Sequence, residues 1–166
     1  MIFITVGSQM PFDRLIIAVD KWVAGNYQGD VLGQIGDSIL KPENVKYVSS
    51  LTPAQFVAQV SACDLVVAHA GMGSILTALE YGKPLVLLAR RGDLMETRND
   101  HQIATAKWLG LRPEIFVAQS EDDIGRCIEA GLASARAASS LGGAQGIDRS
   151  ASPRLINAFK TFFEKV

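Results

Sequence analysis

Asp64 to Gln102 reads DLVVAHAGMGSILTALEYGKPLVLLARRGDLMETRNDHQ, and the parsing of this stretch decides the fold. Leu65-Val66-Val67-Ala68 is a short apolar, β-branched run of the kind that forms a buried strand. His69-Ala70-Gly71-Met72-Gly73-Ser74 follows as a turn in which two glycines allow backbone N–H groups to approach a ligand closely. A helix is predicted from about Ser74 to Tyr81, stopped by Gly82 at the position after the cap and by Pro84 just beyond. A glycine-bearing turn leading into a helix N-terminus is an anion site, because unpaired N–H donors and the positive end of the helix dipole converge there. A second buried strand, Pro84 to Ala89, then runs into a polar loop carrying Arg90, Arg91, Arg98, Asn99, His101 and Gln102.

The same alternation extends in both directions. Upstream, Ile2 to Val6 forms a first strand that runs into the loop Gly7-Ser8-Gln9-Met10-Pro11. A helix from about Phe12 to Val23 then places Phe12, Leu15, Ile16, Val19, Trp22 and Val23 on one face. Val31 to Ile35 and Val45 to Val48 read as short strands. Thr52, Pro53 and Gln55 supply an N-cap, a proline at the first helical position and a capping-box glutamine, for a helix ending near Val60. Downstream, His101 to Leu109 reads as a helix and Ile115 to Ala118 as a short last strand. Ser120 caps a further helix that buries Ile124, Cys127, Ile128 and Leu132. Residues 136–152 are small and glycine-bearing, a connector to a terminal helix over 153–166 whose stripe is Leu155, Ile156, Phe159, Phe162, Phe163 and Val166.

Strands alternating with helices predict an α/β fold, a mostly parallel Rossmann-like sheet with helices on both faces, in one domain over residues 1–135 with the terminal helix returning to it. Both glycine turns, at Gly7 and at Gly71 to Gly73, follow strands and so share the carboxyl edge of the sheet, where open α/β sheets bind ligands. The 166 residues suffice for a real core, and a charged fraction of 20% fits a soluble protein. A net charge of −1 argues against a general nucleic-acid binder. No apolar run approaches the ~20 residues of a membrane span, and the N-terminal stretch has no basic region or cleavage site, so a cytoplasmic protein is expected. Cys63 and Cys127 lack metal spacing and read as core thiols.

The candidate residues admit competing roles. Gly71-Met72-Gly73 supplies the first two glycines of a dinucleotide fingerprint. Leu76 occupies the third position, however, and Arg90 and Arg91 stand where an acidic residue is expected. His69 is either a histidine packed at a strand end or a ligand-facing group whose proton serves a phosphate or a departing nucleotide. Glu80 is a solvated helix residue or a partner of ribose hydroxyls. Arg90, Arg91 and Arg98 form a solvated loop or meet a second anion, from an acceptor or a partner. Asn99 and Gln102 suit sugar hydroxyls or a uracil edge, or else cap the helix. With two histidines, no Asp-x-Asp pair and no Cys/His ligand spacing, no metal and no other cofactor is expected. Diphosphate charge would then fall to backbone N–H groups, a helix dipole and arginine.

MIFITVGSQMPFDRLI, HAGMGSILTALEYGKP and NDHQIATAKWLG, in this order and spacing, resemble the C-terminal, donor-binding half of glycosyltransferase family 28. The likeness runs from Met1 to about Gly110. It is nearest to the free-standing members: the catalytic subunit of the two-part dolichol-diphosphate N-acetylglucosaminyltransferase and the bacterial exopolysaccharide and capsule proteins similar to it. The resemblance implies one half of a GT-B fold holding a UDP-sugar at its strand ends. It places Gly7, Ser8 and the turn His69, Ala70, Gly71, Met72, Gly73, Ser74 against the diphosphate, with Gln9 in the same donor-binding loop. It places Asn99, His101 and Gln102 near the sugar or phosphate, and uracil beside the backbone of Val48 to Ser50. Family members commonly carry an acidic residue five positions before the glycine of the GKP motif to bind ribose; here Thr77 stands there, with Glu80 one turn on.

A GT-B enzyme needs two such halves, so the expectation is a cytoplasmic donor-binding subunit recruited to the membrane face by a membrane-anchored partner. That partner supplies a polyprenyl-diphosphate-linked acceptor. The resemblance implies inverting transfer of a hexose or N-acetylhexosamine from a UDP-sugar, with the general base on the partner or, more weakly, His101. A rival expectation is a non-catalytic enhancer or scaffold that activates a partner transferase.

Overall fold

The computed structural model describes residues 1–140. Six strands form one wholly parallel sheet: β1 (Ile2–Thr5), β2 (Val31–Gln34), β3 (Lys46–Val48), β4 (Leu65–His69), β5 (Leu85–Leu88) and β6 (Ile115–Ala118), in the order β3-β2-β1-β4-β5-β6. The helices are α1 (Asp13–Asn26), α2 (Pro53–Ala62), α3 (Met72–Glu80), α4 (His101–Leu109) and α5 (Ile124–Ser140), with a 3-10 turn at Glu121–Asp123 before the last. Among the described residues the predicted strands and helices are all present, most within two residues of their expected ends.

Period-two alternation divides the buried strand residues between two cores. Ile2, Ile4, Leu65, Val67, Val86 and Leu88 point to one side, where α1 and α5 bring Leu15, Ile16, Val19, Ile124 and Ile128. Phe3, Val66, Ala68, Leu85 and Leu87 point to the other, against Val60, Ile75, Ala78, Leu79 and Leu109 from α2, α3 and α4. Both cysteines are buried free thiols, one in each core. Because β1 and β4 are covered on both faces, they read as unbroken apolar runs.

Helix boundaries follow local chemistry. The Thr52 capping box is complete, with Gln55 N donating to the Thr52 hydroxyl and Thr52 N to Gln55 Oε1. Gly82, at φ +60°, ends α3 as anticipated, its N–H on Leu79 O and that of Lys83 on Ala78 O. Three details differ from the sequence reading. Helix α3 starts at Met72, so Gly73 and Ser74 belong to its first turn. Ser120 makes no side-chain cap; Asp123 instead accepts from Gln119 N at 3.2 Å. Helix α5 continues to Ser140, into the stretch expected as a connector, because alanines and serines carry it without a breaker. The expected terminal helix and the remainder of that connector lie outside the described residues.

The β2–β3 crossover is held by a residue that the sequence reading passed over. Asp20 of α1 accepts from the backbone N–H groups of Asn44 (2.8 Å), Val45 (3.0 Å) and Glu43 (3.3 Å), and from Asn44 Nδ2. Truncation by Asp20→Ala strands these donors and is expected to cost about 2 kcal/mol in urea unfolding, as hydrogen bonds to charged groups do. A variant as stable as the parent would show that water replaces the carboxylate without loss.

Candidate functional site

In this strand order the chain leaves β1 toward β2 on one side, and returns through α2 to β4 on the other. The crevice between the carboxyl ends of β1 and β4 is thus the topological switch point, where open α/β sheets take their ligands. The register pairs Thr5 with Ala68, so the loop that starts at Val6-Gly7 lies directly beside His69-Ala70-Gly71. The two glycine turns of the sequence therefore meet.

His69 fills the space between them. A Cβ on Gly7 would stand 2.6 Å from the His69 Cε1 atom, and one on Gly71 closer still to Nε2. Gly7 also sits at φ +78°, where side chains are strained. The glycines thus serve packing as well as access: each leaves room for the imidazole. Burial, reinforced by the nearby Arg90 guanidinium and weakly opposed by the Thr5 backbone, pushes the His69 pKa down to about 4. The ring is neutral at physiological pH, which removes it as a proton donor of the imidazolium kind. Its buried Nδ1 has no hydrogen-bond partner among the described residues. A buried lone pair tolerates that better than a buried N–H, so the proton belongs on Nε2, in the gap between the two turns.

Gly71 is the N-cap of α3, and no side chain caps this helix. The first-turn amides of Met72, Gly73 and Ser74 are those that no intrahelical carbonyl can satisfy. Around Gly73 an added Cβ would meet nothing within 4 Å. Ser8 and Gln9 are exposed on the facing loop, and Ala70 is buried beneath the turn. Thr77 and Glu80 follow Gly73 on the outward stripe of α3, Glu80 about 10 Å along the axis at 1.5 Å per residue. The Thr77 hydroxyl donates to Gly73 O at 2.9 Å, so its proton is committed and only its lone pairs face outward.

The Gly7 loop is held from both sides. Thr5 Oγ1 accepts from Gly7 N (3.2 Å) and donates to Gln34 Oε1 (2.8 Å), while Gln34 Nε2 donates to Gly7 O and Ser49 O, both at 3.1 Å. Gly7 N–H is therefore engaged internally and does not serve an anion. The same glutamine ties the loop to Ser49, within the stretch expected beside the base. Thr5 and Gln34 were not singled out from sequence; the available signal was a polar residue at the carboxyl end of each buried strand.

Arg90 corrects an expectation. It is 4% exposed, and its guanidinium donates to the carbonyls of Val6 (2.8 Å), Met10 (2.6 Å), Pro11 (2.8 Å) and Glu96 (3.1 Å). It lies 4.7 Å from the Phe12 ring centre. With its donors turned to backbone, Arg90 meets no second anion; it acts as a charge behind the turn. Gln102 is likewise inside, 7% exposed, its Oε1 accepting from Arg90 N at 3.3 Å, so it braces the loop rather than reaching a ligand directly. Arg91 is exposed and paired with Asp93, and Arg98 is exposed on the same loop. Asn99 Oδ1 contacts His101 Nδ1 at the exposed start of α4. If that oxygen accepts, Nδ1 carries the proton and the His101 Nε2 lone pair remains able to take one. Among the described residues, no three His, Cys, Asp or Glu side chains are grouped to hold a metal ion. No helix of those residues is long and apolar enough to cross a membrane.

Comparison with known proteins agrees with this architecture. Residues 1–111 match the family model "Glycosyltransferase family 28 C-terminal domain". The chain is 33% identical over 131 residues to the UDP-N-acetylglucosamine transferase subunit ALG13 of Homo sapiens, covering 69% of this chain and 11% of that protein. It is 28% identical over 142 residues to the protein of the same name from Yarrowia lipolytica, covering 75% of this chain and 68% of that one. Among solved structures, the glycotransferase of kitacinnamycin superposes with a TM-score of 0.58 at 19% identity, over 87% of this chain and 40% of that one. The calicheamicin glycosyltransferase CalG4 gives 0.56 at 18% identity, over 99% and 43%. These likenesses extend to the fold, since the chain spans less than half of either enzyme. A doubly wound parallel sheet with these turns at its switch point, matched over two thirds of its length by one family model, makes the chain a member of the glycosyltransferase family 28 C-terminal domain family, with the fold of one half of a GT-B glycosyltransferase.

Proposed function

We propose that this chain binds the UDP-sugar donor of a two-component, inverting glycosyltransferase. The observation that carries the reading is the uncapped N-terminus of α3 opening, with the Nε2 side of His69, at the switch point of the sheet. Diphosphate seated there meets free amides, the helix dipole, a neutral N–H donor and the field of buried Arg90, without a metal ion. The names of the relatives favour UDP-N-acetylglucosamine as donor, and their word "subunit" supports a separate acceptor-binding partner. That partner is membrane-anchored, recruits the chain to the cytoplasmic membrane face and presents a polyprenyl-diphosphate-linked sugar.

In the reaction an acceptor oxygen bonds to the anomeric carbon as the bond from that carbon to the diphosphate oxygen breaks, inverting the centre. The electron pair leaves on UDP, where the α3 amides stabilise the growing negative charge. The hydroxyl proton goes to a base. His69, with its low pKa and largely buried ring, is not that base; the partner provides it or, as the weaker candidate, His101 at the start of α4. The enhancer reading draws on the back-bonded Thr77 hydroxyl, which weakens ribose recognition, and it predicts no donor binding.

Two experiments decide. The wild-type chain should gain thermal stability with UDP, unchanged by EDTA, because a ligand of the folded state stabilises by mass action. Gly73→Asp adds a carboxylate in open space at a helix N-terminus, so it should hold or raise the melting temperature while weakening UDP binding more than about tenfold. No response to UDP in the wild type, with transfer retained by Gly73→Asp alongside its partner, would establish the enhancer instead.

The second concerns His69. Its folded pKa of about 4 lies below the 6.5 of the free group, so between those values the unfolded chain binds the extra proton. Stability is therefore lost as pH falls through 6.5 toward 4, by roughly 3 kcal/mol in all, and the loss levels off below. His69→Gln should remove that component from urea unfolding measured across the range. An identical pH dependence in the two proteins would place the ring in water.

A further inference from the structure

The loop between β5 and α4 is tied to helix α1 by the carboxylate of Glu96. Glu96 accepts from Arg14 Nε on Oε1 and from Arg14 Nη2 on Oε2, both at 2.8 Å, and from the backbone N–H of Arg91 at 2.9 Å. Its own carbonyl accepts from Arg90, and its N–H donates to Arg91 O at 3.2 Å. Arg14 in turn donates to Ala89 O at 2.9 Å, and its guanidinium lies 5.3 Å from the centre of the Phe12 ring whose other guanidinium neighbour is Arg90. Both side chains of the Arg14–Glu96 pair are only 13% exposed. Two-pronged arginine–carboxylate pairing at this burial sets direction as well as attraction.

The pairing maintains a backbone that the loop would not adopt unaided. Met95 sits at φ +55°, a left-handed conformation uncommon for a residue with a side chain, and its N–H donates to Gly92 O at 3.0 Å. Gly92 N–H is bound by Asp100 Oδ1 at 2.8 Å. Strain of this kind persists only where the surroundings over-determine it, and it concentrates at functional segments. The loop so held ends at Asn99 and His101, exposed polar groups that flank Asp100 at the start of α4. Register places this loop beside the diphosphate turn, since His69 pairs with Leu88 just before it leaves the sheet.

We propose that Glu96 is a positioning residue for the sugar of the donor: clamped by Arg14, it fixes the loop that aims Asn99 and His101 at the anomeric end of the ligand. The inference rests on the donor-binding reading above. Glu96 touches no ligand itself. Its effect falls on the part of the donor beyond the second phosphate, because the turn at Gly71 to Ser74 is built on β4 and α3 and none of the hydrogen bonds of the Glu96 carboxylate reaches it.

The test is calorimetric titration of UDP and UDP-N-acetylglucosamine into the wild type, Glu96→Gln and Arg14→Gln. Glu96→Gln keeps the size of the side chain and discards the charge that holds the fork. In both variants UDP affinity should stay within about twofold of the wild type, while the ratio of UDP-sugar to UDP dissociation constants should rise at least about fivefold, the cost of a loop no longer preorganised. Amide exchange should quicken over residues 91–100 and stay unchanged in β1 and β4. A purely structural clamp would lower the melting temperature and leave the ratio where it was, and that result overturns the proposal. Should Glu96→Gln fail to fold, Arg14→Gln, which acts from the opposite side of the pair, decides by the same ratio. A wild-type chain that binds neither ligand overturns the donor-binding reading, and this inference with it; a wild type that binds both while the variants keep its ratio overturns this inference alone.

Discussion

The site depends on the imidazole of His69 occupying the volume that side chains on Gly7 and Gly71 would otherwise fill. β1 and β4 are neighbouring parallel strands at the middle of the sheet, so their departing loops are forced together about one strand spacing, ~4.8 Å, apart. With no Cβ on either glycine, the two loops close on a single flat ring. That packing sets where the backbone turns into α3, and hence where the first amides of the helix point. It also holds the ring largely out of water, which keeps it neutral.

The carboxyl edge of a parallel sheet is where the backbone leaves the ladder and its N–H and C=O groups need new partners. This chain satisfies most of them with buried side chains. Gln34 and Thr5 close off both polar groups of Gly7, and Arg90 collects carbonyls from Val6, Met10 and Pro11. Glu96 and Asp100 secure the loop on the other side of the crevice. The first turn of α3, like that of α1, has no side-chain cap, and it opens at the switch point between β1 and β4. First-turn amides without a side-chain partner at that point have their electrostatic arrangement in place before a ligand arrives.

Arginine has two uses in this frame. Arg90 and Arg14 flank Phe12 and spend their forks on backbone and carboxylate, one collecting carbonyls and the other aligning Glu96. Arg91 and Arg98 remain at the surface. The division matters for the proposed diphosphate site: a guanidinium held behind the turn contributes field without being displaced by a ligand or screened by water. Together Arg14 and Arg90 tie α1 and the β1–α1 loop to the β5–α4 loop.

Much of this was legible in the residues. Apolar runs of strand length, the amphipathic stripe of α1, the Thr52 capping box and the Gly82 stop are local signals, governed by periodicity and backbone preference within a turn or two. They located every described strand and helix and brought both glycine turns to one edge. What the sequence could not disclose is which polar residues turn inward. Arg90 and Arg91 are adjacent and identical, yet one is buried on four carbonyls and the other lies at the surface; Gln102 braces the loop while Asn99 faces out. Nor do Asp20, Gln34 or Glu96 carry a local signature, since the partners of the first two lie 15 residues or more away, and Arg14 lies 82 from Glu96. Spacing along the chain determines which face a residue occupies; only the closing of distant loops upon one another determines whether its charge meets water, backbone or ligand.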